Sequence, residues 1–152
     1  MRLLLFLIAS FTFYPSFSQG TLSEENSVVF QDTLFDWWMI YGMDAEKSRV
    51  MTDSETEKAN ELLNKCITTV SQQNEYNDMF FAKYYFQLFP HINRAGEKMV
   101  WVNAIDKDFI AARDDEEEWK TDFYPVPAYK NSFWNVNLNI EKDHYLNFEI
   151  NL

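Results

Sequence analysis

The sequence is short of the residues on which most enzyme motifs depend. It has one cysteine, two histidines and three glycines among 152 residues. The lone cysteine, Cys66, cannot form an intramolecular disulfide, and the histidines have no partner at the spacing of a zinc motif. The glycines stand far apart, which excludes a glycine-rich phosphate loop. We therefore expect no cofactor and no metal, and enzymatic activity has no motif to support it.

Positive charge is also scarce. The chain has 13 Lys and Arg residues against 24 Asp and Glu, and its formal net charge is −11. Such a surface repels nucleic-acid phosphates, so we expect no nucleic-acid partner. The carboxylates leave one enzymatic alternative open, a hydrolase whose carboxylate site has no recognisable motif. The densest acidic run, residues 114–118, is interpreted as a solvated loop, with a bound cation as the alternative.

Residues 1–18 have the pattern of a secretory signal peptide. A positive charge at the second position precedes an apolar run, which Pro15 ends well short of the roughly 20 residues that a membrane-spanning helix needs. Small residues precede the junction of Ser18 and Gln19, where we expect cleavage. The mature chain, residues 19–152, would then be one secreted or periplasmic domain with no stable membrane anchor.

A helical period follows in the middle of the chain. Residues 55–71 carry apolar side chains at spacings of three and four, which predicts an amphipathic helix. Ser54 and Glu57 match a capping box at its start. Cys66 lies on the apolar stripe, so it is interpreted as a small buried hydrophobe, with a reactive or intermolecular thiol as the alternative. The stripe consists of Ala59, Leu62, Leu63, Cys66, Ile67 and Val70.

A first β-hairpin is predicted after the helix. Residues 83–92 and 98–105 are joined by a three-residue turn that ends at Gly96, where a left-handed backbone is expected. Both faces of this hairpin are apolar. Pro90 cannot donate a ladder hydrogen bond, which predicts an edge strand near that residue. The expected pairs are Tyr85 with Ile105, Phe86 with Ala104, Leu88 with Val102, and Phe89 with Trp101.

A second hairpin is predicted at the C-terminal end, with a turn at residues 142–144. Apolar side chains alternate with asparagines in its first strand, which is typical of a half-buried strand. Alignment of both apolar rows on one face fixes the register. The expected pairs are Trp134 with Leu152, Val136 with Ile150, Leu138 with Phe148, and Ile140 with Leu146.

These elements predict an α+β fold in which the amphipathic helix packs on a four-stranded antiparallel meander. Residues 106–131 are interpreted as a long connection with a helical turn. Residues 28–43 fit a helix, with a strand nearly as plausible, and as a helix they could cover the second apolar face of the first hairpin.

The solvent-facing side of the meander, opposite the predicted helix, is the candidate ligand-binding surface. Amides beside aromatic rings suit polyhydroxylated ligands, because rings stack on apolar sugar faces while amides both donate and accept hydrogen bonds. Solvated asparagines on an ordinary sheet are the alternative reading. We expect a non-enzymatic binding or interaction domain of the cell envelope with a protein or glycan partner. The candidate residues are Tyr85, Gln87, Phe89, Trp101, Asn103, Asn135 and Asn137.

Four segments carry a resemblance to a known group of proteins. Residues 62–67, 83–87, 96–103 and 133–140 together resemble a family of small exported bacterial proteins of unknown function. Those relatives often have cysteines after the asparagine of the second strand, where this chain continues with Ala104. The resemblance implies the architecture and export but no catalytic residue. The helix and meander are also similar in outline to cystatin-like folds, without the inhibitory signature of cystatins.

Overall fold

The computed structural model of the protein is an α+β fold with a mixed sheet of six strands. The predictions for residues 1–18, for residues 32–43 and for acidic residues 114–116 lie outside the described part of the chain. The described residues are 19–31, 44–73, 76–113, 117–124 and 132–150.

The sheet extends beyond the two predicted hairpins. Its strands are β1 (Ser27–Val29), β2 (Ala45–Ser48), β3 (Tyr84–Asn93), β4 (Lys98–Asp106), β5 (Phe133–Asn139) and β6 (His144–Ile150). Strands β3 to β6 pair antiparallel in chain order, but β1 pairs parallel to β3, and β2 also joins β3. A four-stranded antiparallel meander is therefore not confirmed as the whole sheet. The two added strands are too short to give a clear alternation in sequence.

The described residues contain one long helix and three short helical segments. The long helix is α1 (Asp53–Ser71), and the short ones are α2 (Lys107–Ala111), α3 (Glu118–Thr121) and a 3₁₀ turn (Phe81–Lys83). The amphipathic helix of the sequence prediction is confirmed as α1. The helical turn expected between the hairpins is α2.

The first hairpin has the predicted register. All four expected pairs are present, from Tyr85 with Ile105 to Phe89 with Trp101. Gly96 has a φ of 81°, the left-handed conformation that the short turn requires.

The edge position predicted for Pro90 is wrong, because β3 is flanked on both sides. The strand pairs with β4 along one side and with β1 and β2 along the other. Pro90 lies between the segments that pair with those two short strands, and its carbonyl accepts from the Arg49 amide at 3.1 Å. A gap between two partner strands thus tolerates the missing N–H.

The second hairpin has a different register from the predicted one. Its turn occupies residues 140–143, and Leu138 faces Tyr145 instead of Phe148. The ladder contains a bulge near Asn147, whose φ of 50° is one that asparagine tolerates. The observed pairs are Trp134 with Ile150, Asn135 with Glu149, Asn137 with Leu146, Leu138 with Tyr145, and Asn139 with His144.

The register next to the turn, before the bulge, places one apolar residue at the surface. Leu146 is 40% exposed, although strict alternation placed it with the core. Beyond the bulge the phase is restored, so that Phe148 and Ile150 pack against the main core as predicted. An extra residue in one strand reverses the side that following residues face, and alternation alone does not reveal such a residue.

The main core lies between α1 and one face of the sheet, called here the inner face. Helix residues Leu62, Leu63 and Cys66 are buried against sheet residues that include Val102 and Val136. Cys66 has no exposed surface, and burial raises the pKa of its thiol to about 12. The thiol therefore stays protonated and behaves as the predicted small hydrophobe.

The start of α1 differs from the predicted capping box. Thr52 is the N-cap, and Glu55 completes the box: its carboxylate accepts from the Thr52 amide at 2.9 Å. Ser54 and Glu57, the predicted pair, are both exposed. Two overlapping motifs are present in this stretch, and the one that forms also brings the Glu55 carboxylate into contact with Arg49 and with Lys98 on β4.

Candidate functional site

The face of the sheet opposite α1, called here the outer face, carries all seven candidate residues. They occupy alternate positions on three adjacent strands, out of phase with the inner-face residues. The structure thus brings the predicted set together on one surface. Their accessibility is very unequal: Gln87, Asn103, Phe89 and Asn137 are buried, whereas Tyr85, Trp101 and Asn135 are half-buried.

Two of the amides hold a covering segment in place. Gln87 Nε2 donates to the carbonyls of Trp119 at 2.7 Å and Asp122 at 2.8 Å. Its Oε1 accepts from the Tyr124 amide at 3.1 Å and from Asn103 Nδ2 at 3.0 Å. Asn103 Nδ2 also donates to the Tyr124 carbonyl at 3.0 Å. Residues 117–124, called here the covering segment, are therefore fixed to the outer face through their backbone.

This arrangement gives Gln87 and Asn103 a role that the sequence analysis missed. Both side chains have no exposed surface, so a ligand does not reach them while the covering segment is in place. A buried amide that satisfies a loop backbone avoids the cost of unpaired polar groups. The partners are more than 30 residues from Gln87 in the chain, and no local pattern marks such pairs.

Aromatic rings pack around this anchored segment. Tyr85 stacks on Trp119 with ring centroids 4.2 Å apart. Phe89 is buried and stacks on Phe30 at 4.9 Å, just beyond the end of β1. Of the aromatic candidates, Tyr85 and Phe89 therefore serve largely as contacts for these covering residues.

The accessible part of the outer face is a row across three strands. Trp101 on β4 lies opposite Asn137 on β5, which lies opposite Leu146 on β6. Asn135 is half-buried in the neighbouring register position. We call Trp101, Asn135, Asn137 and Leu146 the exposed row. Phe123 of the covering segment lies beside Trp101, with ring centroids 5.9 Å apart.

One buried oxygen in this row has no hydrogen-bond partner. Asn137 is only 8% exposed, and its Oδ1 lacks a donor within the described part of the chain. Leaving a buried acceptor unpaired costs roughly 1–3 kcal/mol. This oxygen has almost no accessible surface, so a ligand hydroxyl resting on Trp101, its cross-strand neighbour, would reach it only if the Asn137 side chain turned outward. Asn103 Oδ1 and His91 Nε2 on the same face also lack partners, but both residues are buried beneath other groups.

The described carboxyl groups that have a shifted pKa all lie beside cations. The three carboxyls with a shifted pKa are Glu55, Glu97 and Asp143, and all three pKa values are lowered. Glu97 lies beside Lys142, and Asp143 beside Lys58, so each is held in its charged form. A general acid at neutral pH needs the opposite shift.

Residues 19–31, 44–73, 76–113, 117–124 and 132–150 contain no group of three or more His, Cys, Asp or Glu side chains that could hold a metal ion. Asp106 caps α2: its carboxylate accepts from the Asp108 amide at 2.9 Å. Burial lowers the pKa of His91, which keeps the imidazole neutral.

Comparison of the chain with protein-family models, with curated proteins and with solved structures finds no match. A search of the described helices finds none that is long and apolar enough to cross a membrane.

Proposed function

We propose that this chain is an exported, non-enzymatic binding domain of the cell envelope, and that the exposed row holds a glycan. The single observation that carries the proposal is the half-buried Trp101 ring, which lies diagonally across the β4–β5 ladder from the half-buried amide of Asn135 on the outer face. The expected signal peptide supports export, to the periplasm or the outside. The resemblance to small exported bacterial proteins points the same way.

The chemistry of the row suits a sugar. An aromatic ring offers an apolar surface to the axial hydrogens of a pyranose, while an asparagine oxygen accepts from a ring hydroxyl. Asn135 supplies the half-buried amide on this face, and Leu146 extends the apolar surface at its far edge. Sugars with equatorial hydroxyls leave the flattest apolar faces, which favours β-1,4-linked glucose or N-acetylglucosamine.

Two other functions are alternatives. A hydrolase with a carboxylate site requires a pair of carboxyls in which one is kept protonated, and the lowered pKa values of Glu55, Glu97 and Asp143 do not favour it. A protein partner could instead rest on the same row. The cystatin-like outline stays a prediction and assigns no inhibitory activity, since fold alone does not imply function.

Substitution of Trp101 by alanine tests the glycan proposal. We expect wild-type protein to bind a soluble β-1,4-linked tetrasaccharide of glucose or N-acetylglucosamine, and Trp101→Ala to weaken binding about tenfold or more, because the stacking platform is lost. Isothermal titration calorimetry gives both affinities. N-terminal sequencing of protein recovered from the producing cells checks export, with Gln19 expected as the first residue.

Phe80→Ala is the matched control for this experiment. Phe80 is 47% exposed, so it is also an accessible aromatic residue, but it lies outside the exposed row. Its loss should leave the affinity unchanged. Equal weakening by both substitutions, or no saturable binding of either sugar by wild-type protein, would contradict glycan binding by this row.

A further inference from the structure

The first described residues lie along α1, on the side of the molecule away from the exposed row. Gly20 N donates to Asn64 Oδ1 at 3.0 Å, and Asn64 Nδ2 donates back to the Gly20 carbonyl at 2.9 Å. Leu22 N donates to Asn60 Oδ1 at 3.0 Å. In an extended chain, the N–H and C=O of one residue and the N–H of the residue two positions later point to the same side. Here that side faces α1. Two asparagines one helical turn apart thus bind an extended backbone.

The asparagine side chains are oriented for this task by the helix itself. Asn64 Nδ2 also donates to the Asn60 carbonyl at 2.9 Å, which fixes the plane of its amide. A side chain held in the binding orientation loses less conformational entropy when a ligand arrives. Asn60 and Asn64 therefore form a prepared clamp for a peptide backbone.

A close contact selects the residue that fits the clamp. A Cβ added to Gly20 would overlap the ring of Phe81 and lie 2.6 Å from the Cβ of Phe81, a separation that atoms in proteins do not tolerate. Phe81 is only 3% exposed and packs in the main core, so it has little room to move. The position above Phe81 therefore accepts glycine and rejects every residue that has a side chain.

The bound segment does not fill the space beside the helix. A cleft of about 590 Å³ lies between residues 19–21 and the wet side of α1, where Glu61, Lys65 and Thr68 line it. Leu22 packs at the edge of the main core, while Thr21 and Gln19 are exposed. The cleft has room for the side chains of a peptide other than the one that occupies it.

We propose that Asn60, Asn64 and Phe81 form a peptide-binding groove for an extended segment with a glycine over Phe81, and that residues 19–22 occupy it as a displaceable ligand from the same chain. Because the groove binds backbone groups, it accepts peptides of different sequence, except at the position that must be glycine. This site is separate from the exposed row and does not depend on glycan binding.

Displacement requires only a short part of the chain to move. The next residues form a turn, in which Ser23 N donates to Asn26 Oδ1 at 2.9 Å and Ser27 N donates to the Ser23 carbonyl at 2.8 Å. Asn26 Nδ2 also donates to the Thr21 carbonyl at 2.9 Å, so this bond must break together with those to Asn60 and Asn64 when residues 19–22 leave the groove, while β1 can stay paired with β3. Because its tether is short, the attached segment competes for the groove at an effective concentration of about millimolar. A free peptide binds only if its own concentration is higher, or if a substitution keeps the attached segment out of the groove.

The full chain with Gly20→Ala, compared with the wild-type full chain, tests the groove directly. The substitution expels the attached segment, so a blocked peptide Gln-Gly-Thr-Leu should bind the variant. We expect its apparent affinity for wild-type protein to be about a hundredfold lower, because the attached segment competes. The peptide Gln-Ala-Thr-Leu should bind neither protein, and adding Asn64→Leu to Gly20→Ala should abolish binding of the glycine peptide. Fluorescence anisotropy of labelled peptides measures all five combinations.

Three outcomes overturn the proposal: no binding of the glycine peptide to folded Gly20→Ala, equal binding of the alanine peptide, or binding that Asn64→Leu leaves intact. If Gly20→Ala fails to fold, amide hydrogen exchange on wild-type protein decides the question. Excess glycine peptide should then accelerate exchange at Gly20 and Leu22 while the α1 amides are unchanged, and no acceleration would refute displacement. Sugar affinity stays the same throughout, so failure of this proposal is distinguishable from failure of glycan binding.

Discussion

Replacement of Gln87 by glutamate is expected to destabilise the protein by about 3–5 kcal/mol. Glutamate has nearly the same shape, but its carboxylate cannot donate to the Trp119 and Asp122 carbonyls, which Gln87 Nε2 now satisfies. The substitution also introduces a charge at a position with no exposed surface. Chemical denaturation followed by circular dichroism measures the change in the free energy of unfolding.

Gln31→Glu is the control for the added charge. Gln31 is exposed, so the same chemical change there should alter stability by less than about 0.5 kcal/mol. Loss of the Gln87 amide should also loosen the covering segment and raise the accessibility of Tyr85, which now stacks on Trp119. A Gln87→Glu variant as stable as Gln31→Glu would show that the covering segment is not held by this amide.

The second large effect is expected at Glu55, where Glu55→Gln should cost about 3 kcal/mol at neutral pH. Its carboxylate contacts Arg49 at 2.8 Å and Lys98 at 3.0 Å, which joins the start of α1 to β4 and to the residue after β2. Glutamine can still accept from the Thr52 amide, so the cap survives and the ion pairs are lost. Arg49, with 11% of its side chain exposed, would keep a charge without its partner.

The pH dependence gives this prediction a sign. Burial alone would raise the pKa of Glu55, but the Thr52 amide and the Arg49 and Lys98 side chains outweigh it and lower the pKa from 4.5 to about 2. Because the folded-state pKa is the lower one, the stabilisation is complete above about pH 4.5 and disappears as the pH falls towards 2. The difference in unfolding free energy between wild-type and Glu55→Gln proteins should shrink over that interval.

Glu57→Gln is the matched substitution in the same helical turn. Glu57 is exposed, and its replacement should change the free energy of unfolding by less than about 0.5 kcal/mol at every pH. Equal effects of the two substitutions, or a Glu55 effect that persists at pH 2, would mean that the ion pairs to Arg49 and Lys98 do not stabilise the fold.

Local patterns were sufficient for the elements whose signals lie close together in the chain. The helical stripe around Cys66 predicted α1, and the Gly96 turn with two apolar faces fixed the first hairpin pair by pair. In that hairpin a one-residue slip would break the match on both faces at once. The second hairpin lacked that constraint: its turn at residues 140–143 shifted the register, and the bulge near Asn147 shifted it again.

The sequence predicted which residues share the outer face, but it predicted only partly which of them are accessible. Strand alternation placed Trp101 and Asn137 on one face, because that period follows from backbone geometry. It could not reveal that residues 117–124 fold back onto Gln87, since those hydrogen bonds join segments far apart in sequence. The peptide clamp of Asn60 and Asn64 was missed for the same reason.

Amide hydrogen exchange at Tyr124 in wild-type protein tests the central claim, that a buried glutamine fixes the covering segment and so confines the open surface to the exposed row. The Tyr124 amide donates to Gln87 Oε1 at 3.1 Å, and Tyr124 is 5% exposed. We predict protection comparable to that of the β3 and β4 amides, with exchange only through opening of the sheet. Exchange at the rate of a solvent-exposed loop amide would contradict this account.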